Sequence, residues 1–148
     1  LVGSEMCIRD SGIAHPFTKD NIEEGYKSLR LLEPQKMKDR LNEVSMPNWY
    51  HCIDESLRQA GMTRKDIGYL DVLHMKRSGH KGMLAELGLT EEQSIYLEDY
   101  GHVGQIDQIL SLELALKAGK VKDGTVVCMI AAGIGYVWSA NIIKWGNK

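Results

Sequence analysis

The sequence predicts an α/β fold, a layered mixed sheet with helices packed on it, and three observations carry that prediction. Segments with apolar residues at helical spacing alternate with short apolar runs of strand length. Glycines stand where three of the helical segments must stop, at Gly61, Gly88 and Gly119. One run, residues 126–132, is apolar throughout, as a strand covered on both faces requires.

Taken in order, residues 1–11 (LVGSEMCIRDS) have no amphipathic period and no signal-peptide shape. They resemble translated sequencing-adapter read-through, so they are set apart from the fold as a non-native or disordered leader. Residues 12–45 form a second, charged segment. Within it, 21–32 reads as a helix with Ile22, Tyr26, Leu29 and Leu32 on one face and Pro34 as its stop. Residues 37–44 suit a second short helix, and the chain before Pro47 is expected to be extended. The third segment, 46–148, carries the sharper signal. Trp49, Ile53, Leu57 and Ala60 recur at helical spacing up to Gly61, and 63–66 is a turn with a short helical piece. Residues 69–73 and 94–97 have strand length, and 78–87 is helical before Gly88. The strongest helix is 104–118, with Ile106, Ile109, Leu110, Leu114 and Ala118 in register. Two strands, 126–132 and 136–145, surround the glycine-containing turn at 131–135, completing the order α-β-α-β-α-β-β.

At 148 residues the chain is long enough for one domain with a real core, and its 43% apolar and 26% charged content is that of a globular protein. A formal net charge of −2 gives no reason to expect nucleic acid or an anionic membrane as partner. No apolar run reaches the length of a membrane-spanning helix. Cys7, Cys52 and Cys128 are odd in number and far apart, which argues against a disulfide framework or a zinc knuckle and for a reducing, cytoplasmic setting.

Three clusters carry candidate chemistry, each where a strand ends or turns. They are Leu73-His74-Met75-Lys76-Arg77-Ser78, Tyr100-Gly101-His102-Val103-Gly104, and Gly133-Ile134-Gly135. In open α/β sheets ligands gather beyond the carboxyl ends of the strands, so the two histidine-bearing junctions are natural walls of one site. A lone histidine at a strand end is more often structural than catalytic, and two glycines also make a plain hairpin turn.

The succession of landmarks is more specific than any one of them. From Trp49 to Trp145 it runs through Gly61-Met-Thr63, His74, Leu87-Gly88, Tyr100-Gly101, Gly119-Lys-Val-Lys-Asp-Gly124 and Ala132-Gly-Ile-Gly-Tyr-Val-Trp138 to a terminal Ile-Lys-Trp145. This order resembles the C-terminal half of ketoacyl-ACP synthase III and related thiolase-fold condensing enzymes. The resemblance implies half of a thiolase-like α-β-α layered fold, with 12–45 as a remnant of the segment joining the two halves. It puts the family's catalytic histidine on His74, and it puts His102 where the family has asparagine. Met75-Lys76-Arg77-Ser78 replaces the Gln-Ala-Asn that follows the family's histidine.

What the resemblance implies chemically is a decarboxylative Claisen condensation of an acyl thioester with malonyl-ACP or malonyl-CoA. His74 and His102 are then a donor pair for the thioester oxygen on which charge builds as carbon dioxide leaves, since an imidazole N–H donates much as an amide does. The backbone N–H of Ile134, between Gly133 and Gly135, would serve a second oxyanion hole. Lys76 and Arg77 meet the phosphates of coenzyme A or the carrier protein, or are solvated surface charge. The cysteine nucleophile lies in the other half of the family fold and is expected to be absent from this chain, because Cys52 is mid-helix and Cys128 reads as core. No metal and no cofactor are expected beyond the coenzyme A or phosphopantetheine thioesters that are substrates. Acyl carrier protein and a second copy of the chain, in a homodimer, are the expected partners. Three alternatives stand beside this reading. One is a non-decarboxylating enzyme like hydroxymethylglutaryl-CoA synthase or thiolase. Another is a non-catalytic thiolase-like subunit. The last is a metal module using His74, His80 and His102. His80 itself reads as a surface residue, Trp138 and Trp145 as packing, and Tyr100 as the end of a strand.

Overall fold

The computed structural model of the protein describes residues 33–133 and 136–146. The chain divides into two compact units. One holds the described residues up to Ser45 together with Ala132–Val137, and the other holds Met46–Ala131 and the residues from Trp138 onward. The predicted helix at 21–32 and the leader at 1–11 lie outside the described residues.

Helix α1 spans Pro34–Gln59. In the first unit its residues are mostly exposed and joined by short-range pairs, Lys36 with Glu33 and Arg40 with Glu43. Pro47 lies inside this helix, so the expectation of an extended chain before it is overturned. Proline removes the N–H that would bond the carbonyl four residues back and costs about 3 kcal/mol in a helix interior. Downstream, Trp49, Ile53 and Leu57 are buried and the helix end is well capped, which offsets that cost. The cap is a Schellman motif: Gly61 has φ +67, its N–H donates to the Arg58 carbonyl, and the Met62 N–H reaches the Leu57 carbonyl. The turn that follows is fixed by Asp66, whose Oδ2 accepts from the Thr63 N–H at 2.7 Å and its hydroxyl at 2.8 Å. Arg64 then clamps the turn to α1 through two 2.7 Å bonds to Asp54.

Strand β1, Tyr69–Val72, is buried at every residue and pairs in parallel with β2, Val126–Gly133, in the register Tyr69–Val127 to Val72–Ile130. Strand β3, Val137–Lys144, completes a sheet in the order β1-β2-β3. The Trp145 N–H donates to Thr125 and the Gly124 N–H to Trp145, so the end of β3 meets the start of β2 and this pair runs antiparallel. The mixed sheet was the expectation from sequence. Helix α1 is tied to it by Trp49 Nε1, which donates to the Ala131 carbonyl at 3.0 Å, and by Ser56 Oγ, which donates to Ala140 at 2.9 Å.

Helix α2, Arg77–Leu87, buries His80, Met83, Leu84 and Leu87 and ends at Gly88 with φ +72. The predicted strand at 94–97 is not formed: Ser94 makes one isolated parallel bridge to Leu70, and the chain turns at once, with Glu98 N–H bonded to Tyr96. The polar groups there are satisfied by side chains instead of a ladder. Ser94 Oγ donates to the Leu70 carbonyl at 2.8 Å, and Lys120 Nζ donates to the Ser94 carbonyl at 3.2 Å.

The last helix, α3, spans Asp107–Lys117 after a 3₁₀ turn at Gly104–Ile106. Its existence was predicted, but its inward face was not. Asp107, Gln108, Ser111 and Ala115 are buried, whereas Ile106 and Ile109 are 56% and 63% exposed. The polar residues face inward because each has a partner there. Gln108 Nε2 donates to the Ile130 carbonyl at 2.9 Å, and Ser111 Oγ shares a 2.8 Å hydrogen bond with the Tyr69 hydroxyl. Beside this pair a cluster of Tyr69, Ala115, Val121 and Val127 closes the core, with Trp145 packed against it. Asp71, on the same strand as Tyr69, is fully buried with neither carboxyl oxygen hydrogen-bonded. Burial pushes its carboxyl up to about 7, with nearby Ser111 opposing the shift.

Candidate active site

His74 follows the carboxyl end of β1, and His102 lies in the loop that leads into α3. A residue that was not singled out from the sequence joins them. Asp107, 0% exposed at the first turn of α3, points its carboxylate back at both loops. Its Oδ2 accepts from the His74 backbone N–H at 2.7 Å and contacts His102 Nδ1 at 2.5 Å, and its Oδ1 accepts from the Val103 N–H at 2.8 Å. One carboxylate oxygen thus serves both histidine-bearing junctions. Burial raises the Asp107 carboxyl, but the hydrogen bonds from His102, Val103 and His74 outweigh it and hold the group below the ordinary aspartate value. Asp107 is therefore an ionised acceptor at neutral pH.

The two imidazoles sit in different surroundings. The His74 ring packs on Tyr96, centroids 4.9 Å apart, and its Nδ1 is buried without a hydrogen-bond partner. The side chain of His102 is 55% exposed, with Nδ1 turned to Asp107. His80, expected on the surface, is buried instead. It meets Tyr96 edge-on at 5.5 Å, and burial lowers its basicity. Its apolar surroundings on α2 explain this, since its i+3 and i+4 neighbours Met83 and Leu84 share its inward face.

Arg77 lies 4.9 Å from the Tyr96 ring centroid and bonds Glu98 at 2.6 Å, with Glu91 at 3.8 Å, while Lys81 holds Glu91 at 2.8 Å. Arg77 is thus already engaged by carboxylates. Lys76 is exposed, and its carbonyl accepts the N–H groups of Gly79 and His80 at the start of α2. A cleft lined by Arg77, His80, Lys81, Glu91, Ser94 and Tyr96 opens beside this network, and neither His74 nor His102 lines it. Gly133 ends β2 at an exposed position with nothing within 4 Å of where a Cβ would stand. Ile134 and Gly135 lie outside the described residues.

Neither described cysteine is poised as a nucleophile. Cys128 is fully buried, and burial followed by the charge of Asp71 pushes its thiol up to about 12. Cys52 is half-buried on α1, its thiol raised by the same desolvation and donating to the Trp138 carbonyl at 3.5 Å. Among the described residues no group of three or more histidine, cysteine, aspartate or glutamate side chains is placed to hold a metal ion, and no helix is long and apolar enough to cross a membrane.

Comparison with known proteins gives the family. Residues 57–145 match the family described as 3-oxoacyl-[acyl-carrier-protein] synthase III C terminal. A β-ketoacyl-[acyl-carrier-protein] synthase III of Microcystis aeruginosa is 33% identical over 97 residues, which cover 64% of this chain and 29% of that protein. The enzyme of the same name from Campylobacter fetus is 22% identical over 147 residues, 99% of this chain and 43% of its own length. The chain therefore spans less than half the length of these relatives. Among solved structures, the synthase III of Thermus thermophilus superposes with a TM-score of 0.68 at 23% identity, covering 73% of this chain and 34% of that one. The Aquifex aeolicus 3-oxoacyl-[acyl-carrier-protein] synthase III gives 0.65 at 25% identity over 73% of this chain and 35% of its own. The fold is thiolase-like, and the chain belongs to the 3-oxoacyl-[acyl-carrier-protein] synthase III family through that family's C-terminal domain.

Proposed function

We propose that the protein is the C-terminal part of a condensing enzyme that joins an acyl thioester to a malonyl thioester with loss of carbon dioxide. One observation carries the reading. The His74 backbone N–H and the His102 ring meet on a single oxygen of Asp107, which supports reading the two junctions as walls of one site. As the malonyl carboxylate departs, its electron pair moves toward the thioester carbonyl, and the oxygen gains charge. A donor aimed at that oxygen lowers the barrier because the charge exists only in the transition state. His74 supplies such a donor, and His102 is a second one whenever its outer nitrogen carries a proton. The enolate carbon then attacks an acyl group held on a cysteine. That cysteine belongs to a part of the enzyme other than the two thiols described, since neither is positioned or activated for attack. Acyl-CoA, malonyl-ACP or malonyl-CoA as substrates, acyl carrier protein as partner, a homodimeric state and a cytoplasmic setting all belong to this proposal. So does the role of the Ile134 N–H, with Gly133 and Gly135, in a second oxyanion hole. Arg77 is tied to Glu98, which favours Lys76 as the residue left to meet a phosphate.

In the complete enzyme, His74→Ala should lower malonyl decarboxylation by about a hundredfold or more while cysteine acylation stays measurable. Decarboxylation at the wild-type rate would remove the assignment. A second reading, condensation without loss of carbon dioxide, is favoured by one observation, the pairing of His102 with a buried carboxylate. Supplying labelled acetyl thioester and malonyl thioester in parallel as carbon donors separates the two, because only one of them needs a proton removed.

A further inference from the structure

We infer that Asp107 fixes the tautomer of His102 and makes its Nε2 a base able to take the α-proton of an acyl thioester that has no carboxylate to lose. The inference rests on the condensing-enzyme reading above and deepens it. A carboxylate can only accept. Asp107 is fully buried and receives the N–H groups of His74 and Val103 besides the His102 ring, so the contact at Nδ1 requires the imidazole proton to sit on Nδ1. In the neutral ring the other nitrogen, Nε2, then carries a lone pair. The half-exposed side chain leaves that end of the ring available to a ligand. An asparagine in this position donates through its amide and has no basic nitrogen; the exchange for imidazole brings a base, and Asp107 fixes it at Nε2. A histidine without that partner is free to place its proton on either nitrogen.

His74 is arranged the other way. Its Nδ1 is buried and unpaired, and an orphaned buried acceptor costs less than an orphaned buried N–H. The proton therefore belongs on Nε2, which makes His74 a donor. The two histidines are thus unlike, one donating and one accepting. Acting together on an acyl thioester, His102 Nε2 takes the proton from the α-carbon as the C–H bond breaks. The electron pair moves onto the thioester oxygen, which receives the hydrogen bond of His74 Nε2–H. The new imidazolium is paired with Asp107. In condensation, the carbon attacks the acyl-cysteine carbonyl, a carbon–carbon bond forms, the cysteine thiolate leaves, and the imidazolium proton passes to solvent. Without an acyl-enzyme, the imidazolium returns a solvent-exchanged proton to the carbon. Asp107 touches no substrate and is a positioning residue.

The test is hydrogen exchange at the α-carbon of acetyl-CoA in deuterated water, followed by mass spectrometry in the complete enzyme, with malonyl-CoA decarboxylation measured alongside. The wild-type enzyme is expected to incorporate deuterium at least about tenfold faster than buffer. Asp107→Asn should lower that rate by about a hundredfold, and Asp107→Glu should restore part of it. Histidine-labelled NMR of the wild-type enzyme should show the His102 proton on Nδ1, a readout that needs no variant to fold. Absence of exchange with decarboxylation intact overturns the base and leaves the condensing reading standing, and absence of both overturns the two together. Exchange indifferent to Asp107→Asn, or an Nε2–H tautomer at His102 in the wild type, overturns the role of Asp107.

Discussion

At the scale of single residues, the two buried carboxylates show how the same group is stabilised or stranded by what surrounds it. Asp107 has three N–H partners and stays ionised, whereas Asp71 has none and is pushed up to about 7. A folded-state pKa above the unfolded one means the native state binds the extra proton between the two values. Asp71 therefore removes stability as pH rises from the unfolded aspartate range toward 7, and the loss levels off above that. Asp71→Asn should flatten this dependence, raising stability near about pH 8 by an amount on the order of a few kcal/mol and changing it little near about pH 4. Denaturant titrations of both proteins at the two pH values check it, and an unchanged gap would mean the carboxyl finds a partner. His74 and His102 were legible in the sequence because each stands between a strand signal and a helix signal. Asp107 was not, because an aspartate at a helix start is ordinary, and only the folded loop reveals that it bonds backward to two junctions.

At the scale of elements, glycine stops were read correctly because their physics is local. Gly61 and Gly88 both adopt φ near +70 and both close a Schellman pair of backbone bonds. Gly88→Ala puts a Cβ into the left-handed region with no steric neighbour, so the cost is the backbone term alone, about 1 kcal/mol, read as a lowered thermal midpoint. Three features depended on distant partners and were not legible. Pro47 is carried inside α1 by the burial of Trp49, Ile53 and Leu57 beyond it. The segment at 94–97 gives up its ladder to Ser94 and Lys120 side-chain bonds. Helix α3 turns its polar stripe inward because Ile130, Tyr69 and the two loops supply partners that no periodicity can show. Ser111→Ala should remove the 2.8 Å partner of the Tyr69 hydroxyl and leave it weaker contacts, among them 3.3 Å to the Ser111 carbonyl, costing about 1 kcal/mol in a chemical melt. Val at the same position would cost more, through crowding of the helix–sheet contact.

At the scale of the whole molecule, the loop into α3 and the first turn of that helix carry exposed apolar side chains. Tyr100, Val103, Ile106 and Ile109 are all exposed within ten residues of sequence, and Val137 and Ile143 are exposed on β3. Scattered exposed aliphatics are common, but a run of four around the His102 loop is a surface that water covers poorly. The chain spans 29% and 43% of the lengths of two of its relatives, and under the proposed function the rest of such an enzyme is the cover for this surface. The 148-residue chain alone should accordingly bind hydrophobic dyes and self-associate in size-exclusion chromatography, and coexpression with the rest of the enzyme should suppress both. A monodisperse monomer with a sharp melt would count against an uncovered face. In the proposed site Asp107 gathers His74 and His102 around one thioester. A crystal structure of the complete enzyme with a non-hydrolysable malonyl-thioester analogue measures it directly. The thioester oxygen is expected within about 3 Å of the His74 ring nitrogen, with His102 Nε2 facing the α-carbon or the same oxygen. An analogue bound with its thioester away from both rings would contradict it.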